Sequence, residues 1–311
     1  MLKYEDYFPL SSATTLQIGG PARQFVKATT EKELTEVLNY TRQNNIPFLI
    51  IGGGSNLLVS DEGVNKLVIK NEIDGITKIV RVLKAKSGLT LQHLVDYSIG
   101  NNLSGLQNLT GIPGTVGGAV FGNAGAYGQT ISDYIREIVC LNPTTGQTIV
   151  LQKDECEFDY RDSIFKRNKF IILEIIFKLD VGDNKDLRKE ADIILQKRLV
   201  KYPKGIKCPG SFFKNLIAEK IPHEILEKIP KEKIVYGKLP AGSLLEMVGA
   251  KGDSLGNIEI ADYHANLFIN KGKGTASDFY SLAQKYALKV KQEFGITLES
   301  EVQLINLPPL I

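Results

Sequence analysis

Apolar and polar positions along this chain recur with two different periods, and the changes of period mark out its elements. Leu34, Val37 and Leu38 share one face at helical spacing, and Thr30 with Glu33 three residues on forms a capping box. A helix is therefore predicted from there to about Asn44. Past Pro47, the run Phe48 to Ile51 is continuously apolar, reads as a strand and leads straight into Gly52-Gly53-Gly54. Leu67 to Ile69 and Ile79 to Leu83 predict further strands, and Thr90 predicts the cap of a helix carrying Leu91, Leu94 and Val95. From Ile138 the pattern shortens. Ile138 to Leu141 and Thr148 to Leu151 make a hairpin turned at Asn142-Pro143-Thr144-Thr145-Gly146, and Phe170 to Leu179 is another strand. Asp186 to about Val200 is predicted helical and turns basic toward its end, after which Pro203, Gly205, Pro209 and Gly210 break regular structure. A last helix over Thr275 to Phe294 places Phe279, Leu282, Ala283 and Tyr286 on one face, and a strand follows around Leu298 to Ile305.

At 311 residues and 43% hydrophobic content the chain can bury two or three packed units, with a boundary near Val200. Lys and Arg total 38 against 35 for Asp and Glu, so a net charge of +3 argues against a nucleic acid or a membrane surface as partner. A local anionic ligand stays open. The opening MLKYEDYFPL lacks a basic stretch followed by an apolar run, and nowhere do about eighteen apolar residues run on uninterrupted, so a cytoplasmic protein is expected. Cys140, Cys156 and Cys208 are odd in number and far apart, which points to packing residues and away from a disulfide framework or a metal site.

Two segments exceed ordinary turn chemistry: Gly52 to Leu58 (GGGSNLL) and Gly111 to Ala119 (GIPGTVGGA). Glycine adopts positive φ and lets backbone N–H groups approach a ligand, so dense glycine beside a strand suits a pyrophosphate cradle. Either cluster alone is equally well a tight connection in a compact fold; the two together suggest one bound dinucleotide. Neither has the G-x-x-x-x-G-K-[ST] pattern, and neither makes a convincing G-x-G-x-x-G strand-to-helix turn, which disfavours an NTPase or a Rossmann site.

With these residues the chain resembles the UDP-N-acetylenolpyruvoylglucosamine reductases. Ile18-Gly19-Gly20-Pro21-Ala22, the run Gly52 to Gly63 and the run Gly111 to Gly128 look like that family's flavin-binding segments. Tyr160-Arg161-Asp162-Ser163, Gly210 to Asn215 (GSFFKN), His264-Ala265-Asn266 and Glu299-Ser300-Glu301-Val302 follow in the family's order and approximate spacing. The resemblance implies an α+β chain: an FAD-binding region of the vanillyl-alcohol-oxidase-like type over residues 1–200, in subdomains of about 1–75 and 76–200, then an α/β substrate-binding domain over 201–311. It implies non-covalent FAD, NADPH as co-substrate and a sugar nucleotide as substrate, the last two occupying one pocket in turn. Ile51, Gly52, Gly53, Gly54, Ser55, Asn56, Leu57, Gly111, Ile112, Pro113, Gly114, Thr115, Gly117, Gly118, Ala119, Asn123 and Ala124 would line the flavin.

The reaction so implied reduces an enol ether, leaving negative charge beside a carboxylate and a carbon that must be protonated. Arg161, Ser211 and Glu301 match the family's positions for this work. Arg161 offers a planar fork to the carboxylate, Glu301 would donate toward it in its protonated form, and Ser211 would give the proton. Tyr160, Arg198, Lys201, Lys214 and Asn215 are the candidates for holding the sugar nucleotide. Bland roles stand beside these: a turn residue after Gly210, a surface ion pair of Arg161 with Asp162, a solvated glutamate, a basic helix end. His264 reads as structural, bonded to backbone. Leu216, where the family usually has proline, Gln303, where an arginine is common, and the long stretch Ile217 to Leu239, read as an added helical excursion, depart from the pattern. An oxidase on the same scaffold and a non-catalytic nucleotide-binding protein are the competing readings.

Overall fold

The Thr30 hydroxyl accepts a hydrogen bond from the Glu33 backbone N–H at 3.1 Å and starts the helix Glu31–Gln43. The reciprocal half of the expected capping box lies one residue earlier: the Glu33 carboxylate accepts from the N–H and the hydroxyl of Thr29 at 2.8 and 2.7 Å. Leu34, Val37 and Leu38 are buried and share a core with Val26, Leu67 and Ile69. These belong to a four-stranded sheet in the order Tyr4–Pro9, Pro21–Ala28, Val64–Asn71, Phe48–Ile51, the last two strands parallel. The structure is a computed structural model and describes residues 2–227 and 229–311.

A second sheet has five antiparallel strands in the order Thr148–Gln152, Ile135–Leu141, Ile171–Lys178, Val82–Lys86, Ile76–Ile79. The strand predicted over Ile79 to Leu83 is in fact a hairpin turn. Ile79 pairs with Val82, and Val80, at φ 55° and 80% exposed, sits in the two-residue connection. A β-branched residue rarely accepts positive φ, so the apolar run ITKIVRVL conceals its own reversal. The helix Leu91–Gly100, capped by the Thr90 hydroxyl on His93 N–H, buries Leu91, Leu94, Val95 and Ile99 in the core that contains Leu83, Ile138, Ile175 and Phe177.

The chain divides into two units, and not by one cut. Met1–Phe8, Ala22–Gly53 and Asn65–Val200 form the first, which holds both sheets; Pro9–Pro21, Gly54–Val64 and Lys201–Ile311 form the second. In the second unit the helix Ala276–Phe294 is capped twice, by the Thr275 hydroxyl on Asp278 N–H and by the Asp61 carboxylate, which accepts from Ala276 and Ser277 N–H at 2.8 and 2.9 Å. Phe279 from this helix meets Phe212 and Phe268 with ring centres 5.1 and 5.2 Å apart. The strand predicted around Leu298 to Ile305 is regular only over Gln303–Ile305, which pairs in parallel with Leu57–Val59. Upstream, Glu301 N–H is taken by Phe212 carbonyl and interrupts the ladder. The stretch from Ile217 to Leu239 is a string of short helical turns, His223–Leu226 the longest described, closed at its base by Leu216 and Ile217 against Leu239 and Lys238; residue 228 lies outside the described residues.

Cys140, Cys156 and Cys208 are buried thiols, and burial pushes Cys140 and Cys156 up to about 12. Among the described residues no helix is long and apolar enough to cross a membrane, and no His, Cys, Asp and Glu side chains cluster as metal ligands.

Candidate functional site

In the first unit the two glycine loops meet. A Cβ placed on Gly53 would stand 2.7 Å from the Gly114 Cα, and one on Gly52 would stand 2.4 Å from the Thr115 Oγ1. Only glycine allows so close an approach. Thr115 also caps the short helix Val116–Phe121 by accepting from Gly118 N–H at 3.2 Å. Gly52, Gly53 and Thr115 border a cavity of about 330 Å³ whose remaining wall is Lys70, Asn71, Glu72, Asp74, Gly88, Leu89, Thr90 and His93. Much of the rest of the second loop is tied down by the protein. Gly111 N–H donates to Gln92 Oε1, Gly117 N–H to Ser87 carbonyl, Ile112 N–H to Leu109 carbonyl and Ala124 N–H to Ala119 carbonyl. Ile51 is buried at the end of its strand.

Gly54, Ser55, Asn56 and Leu57 belong to the second unit. Gly54 has φ 65° and lies so close to Ala13 that a Cβ would fall 1.9 Å from its carbonyl oxygen. Asn56 donates through Nδ2 to the Glu301 carbonyl at 3.0 Å, and Leu57 is buried in the strand that pairs with Gln303.

Arg161 lies in the first unit at φ 54°. Its guanidinium donates to the carbonyls of Asn123 and Gly125 at 3.3 and 2.9 Å, and stands 5.5 Å from the centre of the Tyr160 ring. It thus grips the end of the second glycine run. Asp162, next in sequence, is bridged together with Glu157 by Arg167. Asn123 is 4% exposed; its Nδ2 donates to Asp159 carbonyl at 2.9 Å, while Oδ1 has no hydrogen-bond partner among the described residues. Arg198 borders Gly111, with Cδ and Nε 3.2 Å from where a Cβ there would be.

Ser211 owes its position to its neighbours in sequence. Phe212 and Phe213 are fully buried, and the side-chain amide of Asn266 clasps Phe213 from both sides, accepting from its N–H and donating to its carbonyl at 2.8 Å each. Phe212 N–H donates to Asn266 carbonyl at 3.0 Å. The His-Ala-Asn stretch is therefore the clamp that holds the serine segment. Ser211 Oγ receives Lys201 Nζ at 3.2 Å and lies 3.1 Å from Tyr202 OH. Glu301 N–H donates to Phe212 carbonyl at 2.7 Å, so Ser211, Lys201 and the Glu301 backbone share one neighbourhood. Lys214 is engaged by Glu299 at 3.0 Å, and Asn215 Oδ1 accepts from Ala241 N–H at 3.2 Å, at the start of the helix Ala241–Met247. His264 is half-buried near Lys201; desolvation first, then that positive charge, lower it from 6.5 to about 4, and its Nδ1 accepts from Asn266 N–H at 3.1 Å.

Residues 22–152 match the model of an FAD binding domain, and residues 202–305 match that of the C-terminal domain of UDP-N-acetylenolpyruvoylglucosamine reductase. A reductase of that name from Solibacter usitatus (strain Ellin6076) is 39% identical over 299 residues, covering 96% of this chain and 95% of the relative. The chain belongs to the UDP-N-acetylenolpyruvoylglucosamine reductase family. A second such reductase, UDP-N-acetylenolpyruvoylglucosamine reductase 2 of Bacillus anthracis, is 33% identical over 298 residues, 96% of this chain and 91% of the relative. The crystal structure of the Thermus caldophilus UDP-N-acetylenolpyruvylglucosamine reductase superposes with a TM-score of 0.77 at 28% identity, over 98% of this chain and 99% of that one.

For a reductase of this family the chain's own residues fit FAD. The meeting glycine loops make a cradle that any Cβ would fill, and Asn123 Oδ1 is a buried acceptor with no donor among the described residues. Lys70, Glu72, Asp74, Gly88 and His93 border the same cavity without standing out in the sequence. Tyr202 and Asn266 likewise carry no local signal of their contacts with Ser211 and Phe213, which arise from tertiary folding.

Proposed function

We propose that this protein is an FAD-dependent reductase that takes electrons from NADPH and reduces the enolpyruvyl ether of UDP-N-acetylenolpyruvoylglucosamine to UDP-N-acetylmuramate, a step of peptidoglycan precursor synthesis. The observation that carries the reading is the end-to-end likeness to reductases of that name, at 39% identity over 96% of the chain. Residues 1–200 serve in the main as the FAD-binding region and residues 201–311 as the substrate-binding domain. Bound FAD supplies a hydride acceptor and donor between NADPH and the enolpyruvyl carbon. The glycine loops hold it without a covalent bond.

Arg161 binds the substrate carboxylate through its planar fork, with the guanidinium held by its bonds to the Asn123 and Gly125 carbonyls. Ser211 gives its proton to the carbon next to the carboxylate. A serine is a poor acid, and what supports the role here is the Lys201 ammonium donating to the same oxygen, which stabilises the charge left behind. Glu301 hydrogen-bonds the carboxylate from beside Phe212. Tyr160, Arg198 and Lys201 bind the sugar nucleotide, while Lys214 and Asn215 contribute as their engagement with Glu299 and Ala241 permits.

The half-reactions test this. Hydride transfer from NADPH needs no proton on the substrate carbon; the second step does. Ser211→Ala is expected to leave flavin bleaching by NADPH within about tenfold of the parent and to slow anaerobic reoxidation by UDP-N-acetylenolpyruvoylglucosamine about a hundredfold, the scale of a lost general acid. Slow bleaching with normal reoxidation would reassign Ser211 to cofactor placement.

A further inference from the structure

We propose that Tyr202 is a positioning residue that acts through Ser211: its phenol orients the serine hydroxyl and returns a proton to it after each turnover. This role stands on the assignment of Ser211 as proton donor.

The geometry begins with hydrogen-bond capacity. A serine hydroxyl has one hydrogen to give and two lone pairs to receive with. Lys201 Nζ, 3.2 Å away, can only donate, and so fills one lone pair. Tyr202 OH, 3.1 Å away, can donate or accept. When it donates, both lone pairs are filled and the serine hydrogen is turned away from both neighbours, toward a reaction partner. When it accepts, the serine hydrogen is parked on the phenol. The phenol thus sets where the serine proton points.

Its second effect comes after transfer. As the Ser211 O–H bond breaks and the substrate C–H bond forms, the serine oxygen is left anionic between an ammonium and a phenol. A phenol is a much stronger acid than an aliphatic alcohol, so the proton moves from Tyr202 to Ser211: one O–H bond breaks on the ring and one forms on the serine. The phenolate then takes a proton from water, and no electrons change hands in either step. Lys201 Nζ lies 5.2 Å from the Tyr202 ring centre, so the same cation faces both transient anions.

The ring itself is held by packing. Tyr202 is half-buried against the small apolar cluster of Cys208, Ala261 and Leu267, with Ile206 and Ile269 beside it. Phenylalanine would fill the same space, so Tyr202→Phe removes the hydroxyl and leaves the packing intact.

Stopped-flow measurements on the flavin-loaded parent, Tyr202→Phe, Ser211→Ala and the double variant decide the matter. NADPH bleaching reports that each variant is folded and holds flavin. Expected for Tyr202→Phe is bleaching unchanged within about twofold, and a limiting rate of anaerobic reoxidation by UDP-N-acetylenolpyruvoylglucosamine lower by about tenfold, the scale of one hydrogen bond to a charged group. The half-saturating substrate concentration should not move. The double variant should be no slower than Ser211→Ala alone, because the hydroxyl acts only through the serine. Normal reoxidation in Tyr202→Phe overturns the proposal, as does a further tenfold loss on top of Ser211→Ala. Normal reoxidation in Ser211→Ala alone removes the serine assignment and this role with it, and that outcome is read from the single variant without reference to Tyr202.

Discussion

Arg161 spends two of its five N–H donors on the carbonyls of Asn123 and Gly125, from a backbone at φ 54° that few side chains would choose. Lysine keeps the charge but cannot span both carbonyls in one plane and still present a fork. Arg161→Lys is expected to lower kcat at least about tenfold, with a smaller rise in KM for the enolpyruvyl sugar nucleotide. Parent-like values of both would make Arg161 a purely structural residue. His264 allows a prediction on stability. The folded protein holds it at about 4, below its ordinary 6.5, because desolvation and then the Lys201 charge disfavour the charged form. Between those values the unfolded chain binds the extra proton, so the stabilisation is complete above about pH 6.5 and drains away as pH falls toward 4. Its size is on the order of 3 kcal/mol at most. His264→Asn keeps an acceptor for Asn266 N–H and does not titrate, so urea midpoints at pH 7 and pH 4.5 should lie closer together in the variant than in the parent. An equal gap in both proteins would mean that His264 takes no part in acid sensitivity.

The contact between the two glycine loops sets the expectation for elements. Gly53→Ala drives a methyl group into the Gly114 backbone, where no flexible side chain can yield, and overpacking of this kind is worth about 1–3 kcal/mol. The purified variant should carry less flavin per protein than the parent, read from the ratio of visible to ultraviolet absorbance. Gly100→Ala, where a Cβ meets nothing within 4 Å, should keep its full flavin content and shows that a methyl group alone is harmless. Elements with strong local chemistry were legible in the sequence: the helix started by Thr30, the hairpin turned at Asn142, the strand before Gly52, the helix opened by Thr275. Val80 was not, because a β-branched residue at positive φ carries no turn signal. The candidate site divides in the same way. Ser211 and Arg161 stand in recognisable ordered motifs, whereas the partners that place them come from tertiary packing: Asn266 for Phe213, Lys201 and Tyr202 for Ser211, and two backbone carbonyls for Arg161. Asp61 sits inside a run that resembles a flavin segment and nevertheless serves the N-terminus of the helix Ala276–Phe294.

At the scale of the whole molecule the chain's composition predicts how the cofactor is held. The runs Gly52 to Gly63 and Gly111 to Gly128 contain no His or Cys to which a flavin could be joined. The protein should purify yellow, and acid or heat should release FAD into the supernatant and leave a colourless pellet. Added FAD should also raise the melting temperature with its concentration, as any ligand of the folded state does. Colourless protein indifferent to FAD would remove the functional reading altogether. The pairing of Leu57–Val59 with Gln303–Ile305 bears on how such a chain is made. Asn56 and the Glu301 carbonyl it bonds are 245 residues apart, and both belong to the unit that also takes in Pro9–Pro21. At a ribosomal pace of about 5–20 residues per second, the earlier segment emerges roughly ten to fifty seconds before its partner exists. Throughout that interval Leu57, Leu58 and Val59, all buried in the finished protein, have no sheet to join. The second unit therefore closes only after Gln303–Ile305 has been made, and the nascent chain must keep an apolar strand from pairing with the wrong neighbour until then.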